Sequence, residues 1–373
     1  MRVLFGIEAF WPHIGGAEVL AARLLPALRK RGFELAVVTS RSAVRLPDED
    51  DFDGIPVYRF PFHEPLAERD LVRVAGVSED LRRLRRAFKP DLVHLHNIGP
   101  DVFYHLRTAA DHPAPMLITM HSAPAAQVRG DNNLTAKALR AATWIAAVSR
   151  GTLSEILRLV PSIVPRSSVV LNGLDMPEEK PTGLLFDKPA LVCLGRLTEQ
   201  KGFDLALSAL PRVLDAFPEV RLIIAGDGIA RLKLEQQVSV LKLEQQVEFL
   251  GRVEPERVPA LLNQATIVVM PSRFEGLGLV AIQAAQMARP VVGTRVGGLR
   301  EVVLHKKTGL LIDKEDSSAL ARGIIDLLNN PGLAKRMGES ARERAARLFS
   351  LGRCADGYDT LYRHLIHIGR KNP

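Results

Sequence analysis

An α/β chain of two Rossmann-like, doubly wound domains is the fold class that this sequence predicts, and three observations predict it. Short apolar runs recur along all 373 residues, helical patterns separate them, and the alternation pauses once in a segment rich in proline and charge. In the first half the runs lie at 3–7, 35–39, 57–60, 92–95, 116–120, 145–149 and 169–171. In the second half they lie at 191–194, 222–225, 247–250, 267–270, 291–294 and 310–312. Most are continuously apolar, as strands of a parallel sheet buried on both faces must be. Helical stretches such as 17–30, 203–217 and 279–288 stand between them, so the units are right-handed βαβ crossovers.

The pause falls at 176–189, which reads as a linker. The expected domains are 1–176 and 188–350, with a final helix, about 351–373, returning to the first. Composition fits an ordinary globular protein. The formal charge of +8 is uneven: 23 basic and 21 acidic side chains in 1–180, against 27 and 21 in 181–373. An excess of cations in the second half suits an anionic ligand or an anionic membrane surface, as well as plain solubility. Two cysteines, Cys193 and Cys354, lack CxxC spacing, which argues against a disulfide framework and for a reducing compartment. The opening residues form a run too short for a signal peptide, and no apolar run is long enough to span a membrane. A cytoplasmic protein is expected, with peripheral contact at the inner membrane face left open. Nucleic acid is not expected as a partner, because no clustered aromatic-basic motif of the kind single-strand binders use occurs. The oligomeric state is not legible.

Taken in order, the first strand delivers Gly15 and Gly16 into a helix, where a glycine pair lets backbone approach a ligand. This is not the GxGxxG of dinucleotide binders. The acidic run 48–53 spells DxD by letter but reads as a solvated loop before Gly54. The helix at 79–89 carries Arg82, Arg83, Arg85 and Arg86 beside Leu81, Leu84 and Phe88. The apolar trio reads as a buried stripe, with a membrane-surface helix as the alternative. His94 and His96 alternate on one strand and so share a face. No third ligand is evident for a metal, and His96 and Asn97 read as acceptor-side or structural residues. His121 ends the next strand, at the carboxyl edge where α/β sheets bind ligands.

In the second half the loop 195–202 follows a buried strand and offers Arg196, a planar fork of donors, and Lys201, a mobile charge; both suit a diphosphate. A nine-residue repeat begins at Leu232 and again at Leu241, and its second copy should run from a helix end into a strand. The richest segment is 271–279. A strand ends, Glu275 sits in the turn, Gly276, Leu277 and Gly278 follow, and a helix opens at Leu279. Free amides and the helix dipole there make an anion site. A carboxylate beside it accepts from hydroxyls, as on a sugar. Phosphate and polyol side by side describe a nucleotide-sugar.

This turn resembles the signature of the retaining glycosyltransferases of family 4, which have the GT-B fold of two Rossmann-like domains facing a central cleft. The resemblance covers nearly the whole chain. It implies that Arg196 and Lys201 hold the donor diphosphate, that Glu275 holds the sugar, and that His121 contacts the donor sugar. It further implies that Gly15 and Gly16 close over the donor phosphates and acceptor, and that Arg252 and Val253 lie in the base-contacting segment. The domain 1–176 becomes the acceptor side and 188–350 the nucleotide-sugar side. No metal and no cofactor are required, and the acceptor is a hydroxyl of a lipid, saccharide or small molecule. Transfer proceeds on one face of the sugar, with the leaving phosphate helping to deprotonate the acceptor.

One departure stands out: the family's second glutamate, on the ribose, is Gln283 here. An amide offers one acceptor and one donor where a carboxylate accepts from both hydroxyls. The change weakens donor binding by about 1–3 kcal/mol without removing the chemistry. The expectation is therefore an active transferase using a UDP- or GDP-linked sugar. Two alternatives remain, a UDP-sugar 2-epimerase of similar fold and a non-catalytic nucleotide-sugar binder.

Overall fold

The computed structural model describes residues 1–42, 45–123 and 133–371. The chain divides into two compact units: residues 1–171 with the C-terminal helix Leu351–Lys371, and residues 172–350.

The first unit is built on β1 (Arg2–Ile7), β2 (Glu34–Ser40), β3 (Glu49–Phe52), β4 (Ile55–Phe60), β5 (Leu92–His96), β6 (Met116–Met120), β7 (Trp144–Ala147) and β8 (Ser167–Val169). They form one sheet in the order β3-β4-β2-β1-β5-β6-β7-β8. All neighbours run parallel except β3 and β4. Leu4, Val38, Val93, Leu95 and Ile118 are buried in its core, as continuously apolar strands require. The sheet order reverses between β1 and β5, a switch point at which ligands bind beyond the strand ends.

Three expectations need correction. The acidic run is not a solvated loop: Glu49–Phe52 is an antiparallel edge strand paired with β4. Asp53 (φ 52°) and Gly54 (φ 73°) make the tight turn, and Asp-Gly is a hairpin signal. Asp50 also pairs at 3.0 Å with the buried Arg59. An edge strand tolerates such charge, and charge there discourages pairing with other chains. The last strand lies at Ser167–Val169, not 169–171, because the turn Pro161–Arg166 delivers the chain directly and Ser168 accepts from the Trp144 indole at 2.9 Å. The arginine-rich helix runs Leu71–Phe88, eight residues longer at its start than expected. Asp70 caps it, accepting from the amides of Val72 and Arg73. The exposed Leu71 and Val72 had masked that start.

On the same helix Leu81 is buried, with Leu84 and Phe88 packed against the core. Arg85 is buried, and Arg82, Arg83 and Arg86 pair with Asp111, Asp80 and Glu79. Among the described residues no helix is long and apolar enough to cross a membrane.

The second unit holds β9 (Ala190–Leu194), β10 (Arg221–Ala225), β11 (Val247–Gly251), β12 (Ile267–Met270), β13 (Val291–Thr294) and β14 (Gly309–Ile312). They form a fully parallel sheet in the order β11-β10-β9-β12-β13-β14. Its switch point lies between β9 and β12. The repeat behaves as expected: its first copy lies in the helix Arg231–Leu241, and its second leaves through Lys242, left-handed at φ 57°, into β11.

The proline-rich segment 176–189 is not a loose tether. The unit begins ahead of it, at Asn172. Arg289, with no exposed surface, bonds the carbonyls of Thr182 (2.6 Å) and Ala265 (3.1 Å). Asn263 bonds Glu179, Lys180 and the Thr182 amide. A buried guanidinium must find acceptors, and this segment supplies them; the pairing is 107 residues apart in sequence and invisible to a local reading.

Candidate functional site

In the second unit the expected residues meet at the switch point. The chain leaves β9 through Gly195 (φ 145°), passes the exposed Arg196, and turns through Glu199–Lys201 onto Gly202 (φ 65°). A Cβ on Gly202 would sit 2.1 Å from the Pro271 carbonyl oxygen, so only glycine lets the loops after β9 and β12 pack this closely. That closeness brings Lys201 Nζ to 2.6 Å from Glu275 Oε1. Ser272 Oγ donates to the same oxygen at 2.8 Å. Glu275 is buried and the Lys201 side chain mostly so. Among the described residues, Oε2 of Glu275 has no protein partner, and it is not enclosed.

The backbone of Glu275 is held as well. Its carbonyl accepts the Gly298 amide at 3.0 Å, and a side chain on Gly297 (φ 38°) would meet that carbonyl at 1.9 Å. Beyond Gly276 and the buried Leu277, Gly278 (φ 91°) starts the helix Leu279–Gln286 without a side-chain cap. The first-turn amides of Leu279 and Val280 therefore have no helical partner. A fixed carboxylate, an ammonium and free amides converge within one turn. Gly226 and Gly228, after β10, pack on the carbonyls of Gly195 and Leu197 and brace the same loop.

Gln283 lies one turn into that helix, half-buried, with no side-chain bond among the described residues. The exposed Arg252 and the half-buried Val253 follow β11, two strands from β9. Nothing in the structure joins them to Lys201 or Glu275. Ser272 was missed by sequence reasoning, although a serine three residues before a carboxylate in a turn is a readable signal.

In the first unit, His96 and His121 end β5 and β6. His96 Nδ1 lies 2.7 Å from His121 Nε2. Asn97, left-handed at φ 65°, accepts the His121 amide on Oδ1 at 2.8 Å. Asn97 is thus engaged in holding His121. His94 shares the face of His96, with ring centroids 4.3 Å apart. It bonds Tyr362 on the C-terminal helix (2.5 Å) and Thr119 (2.7 Å). Burial lowers the basicity of all three rings, bringing His121 to about 4; they are neutral near pH 7. Among the described residues no group of histidine, cysteine and carboxylate side chains could hold a metal ion. At the start of the helix Gly16–Arg29, the Glu18 carboxylate folds over Gly15, where an added Cβ would lie 2.2 Å from its oxygen. A carboxylate already answers that helix dipole.

Two doubly wound parallel sheets, the second with a fixed carboxylate–ammonium pair beside a bare helix start, are the architecture expected of a nucleotide-sugar transferase of the GT-B class. The comparisons with known proteins agree. The family described as Glycosyltransferase Family 4 matches residues 14–177 and that described as Glycosyl transferases group 1 matches residues 176–344. The alpha-maltose-1-phosphate synthase of Mycolicibacterium smegmatis is 30% identical over 97% of this chain and 99% of its own. The sucrose-phosphate synthase of Thermosynechococcus elongatus superposes with a TM-score of 0.84 at 22% identity, covering 99% and 100% of the two chains. HepE of Anabaena, in complex with UDP and glucose, gives 0.79 at 21% identity, covering 98% and 100%. The chain belongs to the family 4, group 1 glycosyltransferases. The epimerase and non-catalytic readings are not favoured.

Proposed function

We propose that this glycosyltransferase moves a sugar from a UDP- or GDP-linked donor to a hydroxyl acceptor with retention of anomeric configuration. One observation carries the reading: the 2.6 Å contact between Lys201 and Glu275 at the switch point of the second sheet. A lysine bonded to a single carboxylate oxygen keeps N–H donors to spare. Those donors, with Arg196 and the amides of Leu279 and Val280, suit a diphosphate. Glu275 Oε2 is the acceptor left over for sugar hydroxyls.

In the step proposed, the bond from the anomeric carbon to the phosphate oxygen breaks and a bond to the acceptor oxygen forms. The acceptor proton passes to the departing phosphate. Charge grows on the diphosphate as it leaves, where cations and amides already fixed in place stabilise it more than the ground state. His121 contributes from the first unit as a neutral ring at the carboxyl edge of its sheet, and the half-buried residues that follow β5 and β6 serve the acceptor side. A UDP donor is supported by the UDP and glucose carried by the similar HepE. Gln283 gives a weakened grip on the ribose.

The test is release of nucleoside diphosphate from UDP-, GDP- and ADP-sugars, with and without panels of lipid, saccharide and small-molecule acceptors. Acceptor-dependent release and an unchanged anomeric configuration, read by NMR, are expected. Conversion of the sugar-nucleotide alone would indicate an epimerase, and binding without either product a non-catalytic protein.

A further inference from the structure

The contact between His96 and His121 carries information beyond its length. Both rings are uncharged near neutral pH, so a 2.7 Å bond between His96 Nδ1 and His121 Nε2 joins one N–H to one lone pair. Two arrangements satisfy it. If His121 donates, then His96 must carry its proton on Nε2, which is buried without any partner. If His96 donates, its orphaned Nε2 is a bare lone pair. Buried N–H groups without partners are rarer than under-used acceptors, so the second arrangement is favoured. His121 then keeps its proton on Nδ1. That nitrogen makes no bond among the described residues and is not enclosed.

The surroundings hold this choice. His96 packs against Phe5 (ring centroids 4.2 Å apart) and His94 (4.3 Å), which also touch each other (5.2 Å), with Tyr358 at 6.4 Å. Asn97 fixes the backbone of His121 from the opposite direction. None of the groups against His96 is a carboxylate that would draw a second proton onto the pair: β1 contributes Phe5, β5 His94, β6 His121, and the C-terminal helix Tyr358.

We propose that His96 is a positioning residue that fixes His121 as its Nδ1–H tautomer, so that the first unit offers a substrate oxygen an N–H donor and no base. This rests on His121 touching substrate, as proposed above. It assigns the ring to binding and polarising an oxygen, and it leaves deprotonation of the acceptor to the departing phosphate.

The test is a long-range 1H–15N correlation spectrum of the full-length protein labelled at histidine, with the His121 signals identified by their loss in His121→Gln. Protonated Nδ1 and bare Nε2 are expected for His121. The opposite pattern overturns the proposal whatever the transferase assays give, so its failure is separate from failure of the functional reading. Two near-isosteric variants sharpen it. His96→Asn can place an N–H where Nδ1 was and should keep the tautomer and most of the rate. His96→Asp places a charged acceptor there; it should put a proton on His121 Nε2, with or without the one on Nδ1, and so change the His121 nitrogen signals and the rate relative to His96→Asn, with nucleoside diphosphate affinity unchanged. Equal rates and equal spectra for the Asn and Asp variants would refute the assignment, and their shared size guards against a packing explanation.

Discussion

The switch points of the two sheets solve different problems with opposite materials. In the second unit, charge does the work: Lys201, Glu275 and the exposed Arg196 stand at loops braced by Gly202, Gly226 and Gly297. In the first, the residues are His94, His96 and His121, stripped of charge by burial and bound to one another or to Thr119 and Tyr362. A charged diphosphate needs counter-charge held ready, whereas a neutral hydroxyl needs a directed hydrogen bond. On the proposed reading, a preformed ion pair and a preformed tautomer are two routes to the same end, a site that reorganises little when substrate arrives.

The strongest way to break this contrast is Lys201→Ala. It removes the diphosphate's cation and leaves Glu275 buried without its partner. We expect kcat/KM to fall about a thousandfold or more; a loss under tenfold would mean that the ion pair is structural. Second comes pH. The histidines are held below their ordinary value of 6.5, His121 at about 4 and His105 at about 3. The unfolded chain therefore takes up protons first on acidification. Stability is fully present above about pH 6.5 and is lost as pH falls toward 4. Urea midpoints should show a loss of about 3 kcal/mol or more between pH 7 and pH 5. A flat profile would show that these rings are already charged when folded.

His121→Phe should lower kcat about a hundredfold while nucleoside diphosphate affinity, read by calorimetry, stays within about twofold of wild type. A matching loss of affinity would erase the division of labour between the units. Gln283→Glu is a smaller effect of opposite sign: activity persists and the donor KM falls up to about tenfold. Its inactivity would contradict the reading of that helix. The smallest effect is at Asp101, buried beside Glu8, whose carboxyl is pushed up to about 7. Its contribution is present at low pH and lost as pH rises through 7. Asp101→Asn should thus gain stability on wild type progressively as pH rises from 4 through 7, by about 1 kcal/mol or more between pH 4 and pH 8.5, with no difference in slope below pH 4.

The same contrast explains what was legible in the sequence. Twelve of the thirteen apolar runs lie at strands, because a parallel strand buried on both faces writes its own signal, and the run 169–171 meets its strand only at Val169. The fourteenth, Glu49–Phe52, is acidic and lies at an edge, where sheet pairing needs no apolar side chain. In the second unit, Arg196, Lys201, Glu275 and Gly278 were readable since charge and glycine sit within short loops after strands. In the first unit only the residue types were visible. The bond from His96 to His121 spans 25 positions, and that from His94 to Tyr362 spans 268. Such pairs depend on register between strands and on where the last helix docks, which no local pattern encodes. The segment 176–189 misled for the same reason: its acceptors serve the distant Arg289.

The central claim is that Lys201 and Glu275 seat the diphosphate and sugar of an activated donor. Calorimetric titration of UDP-, GDP- and ADP-sugars into wild-type protein and into Lys201→Ala tests it most directly. The account predicts saturable binding of at least one donor, weakened about a hundredfold or more by the substitution. Equal affinity in the two proteins, or no binding by wild type, would contradict it.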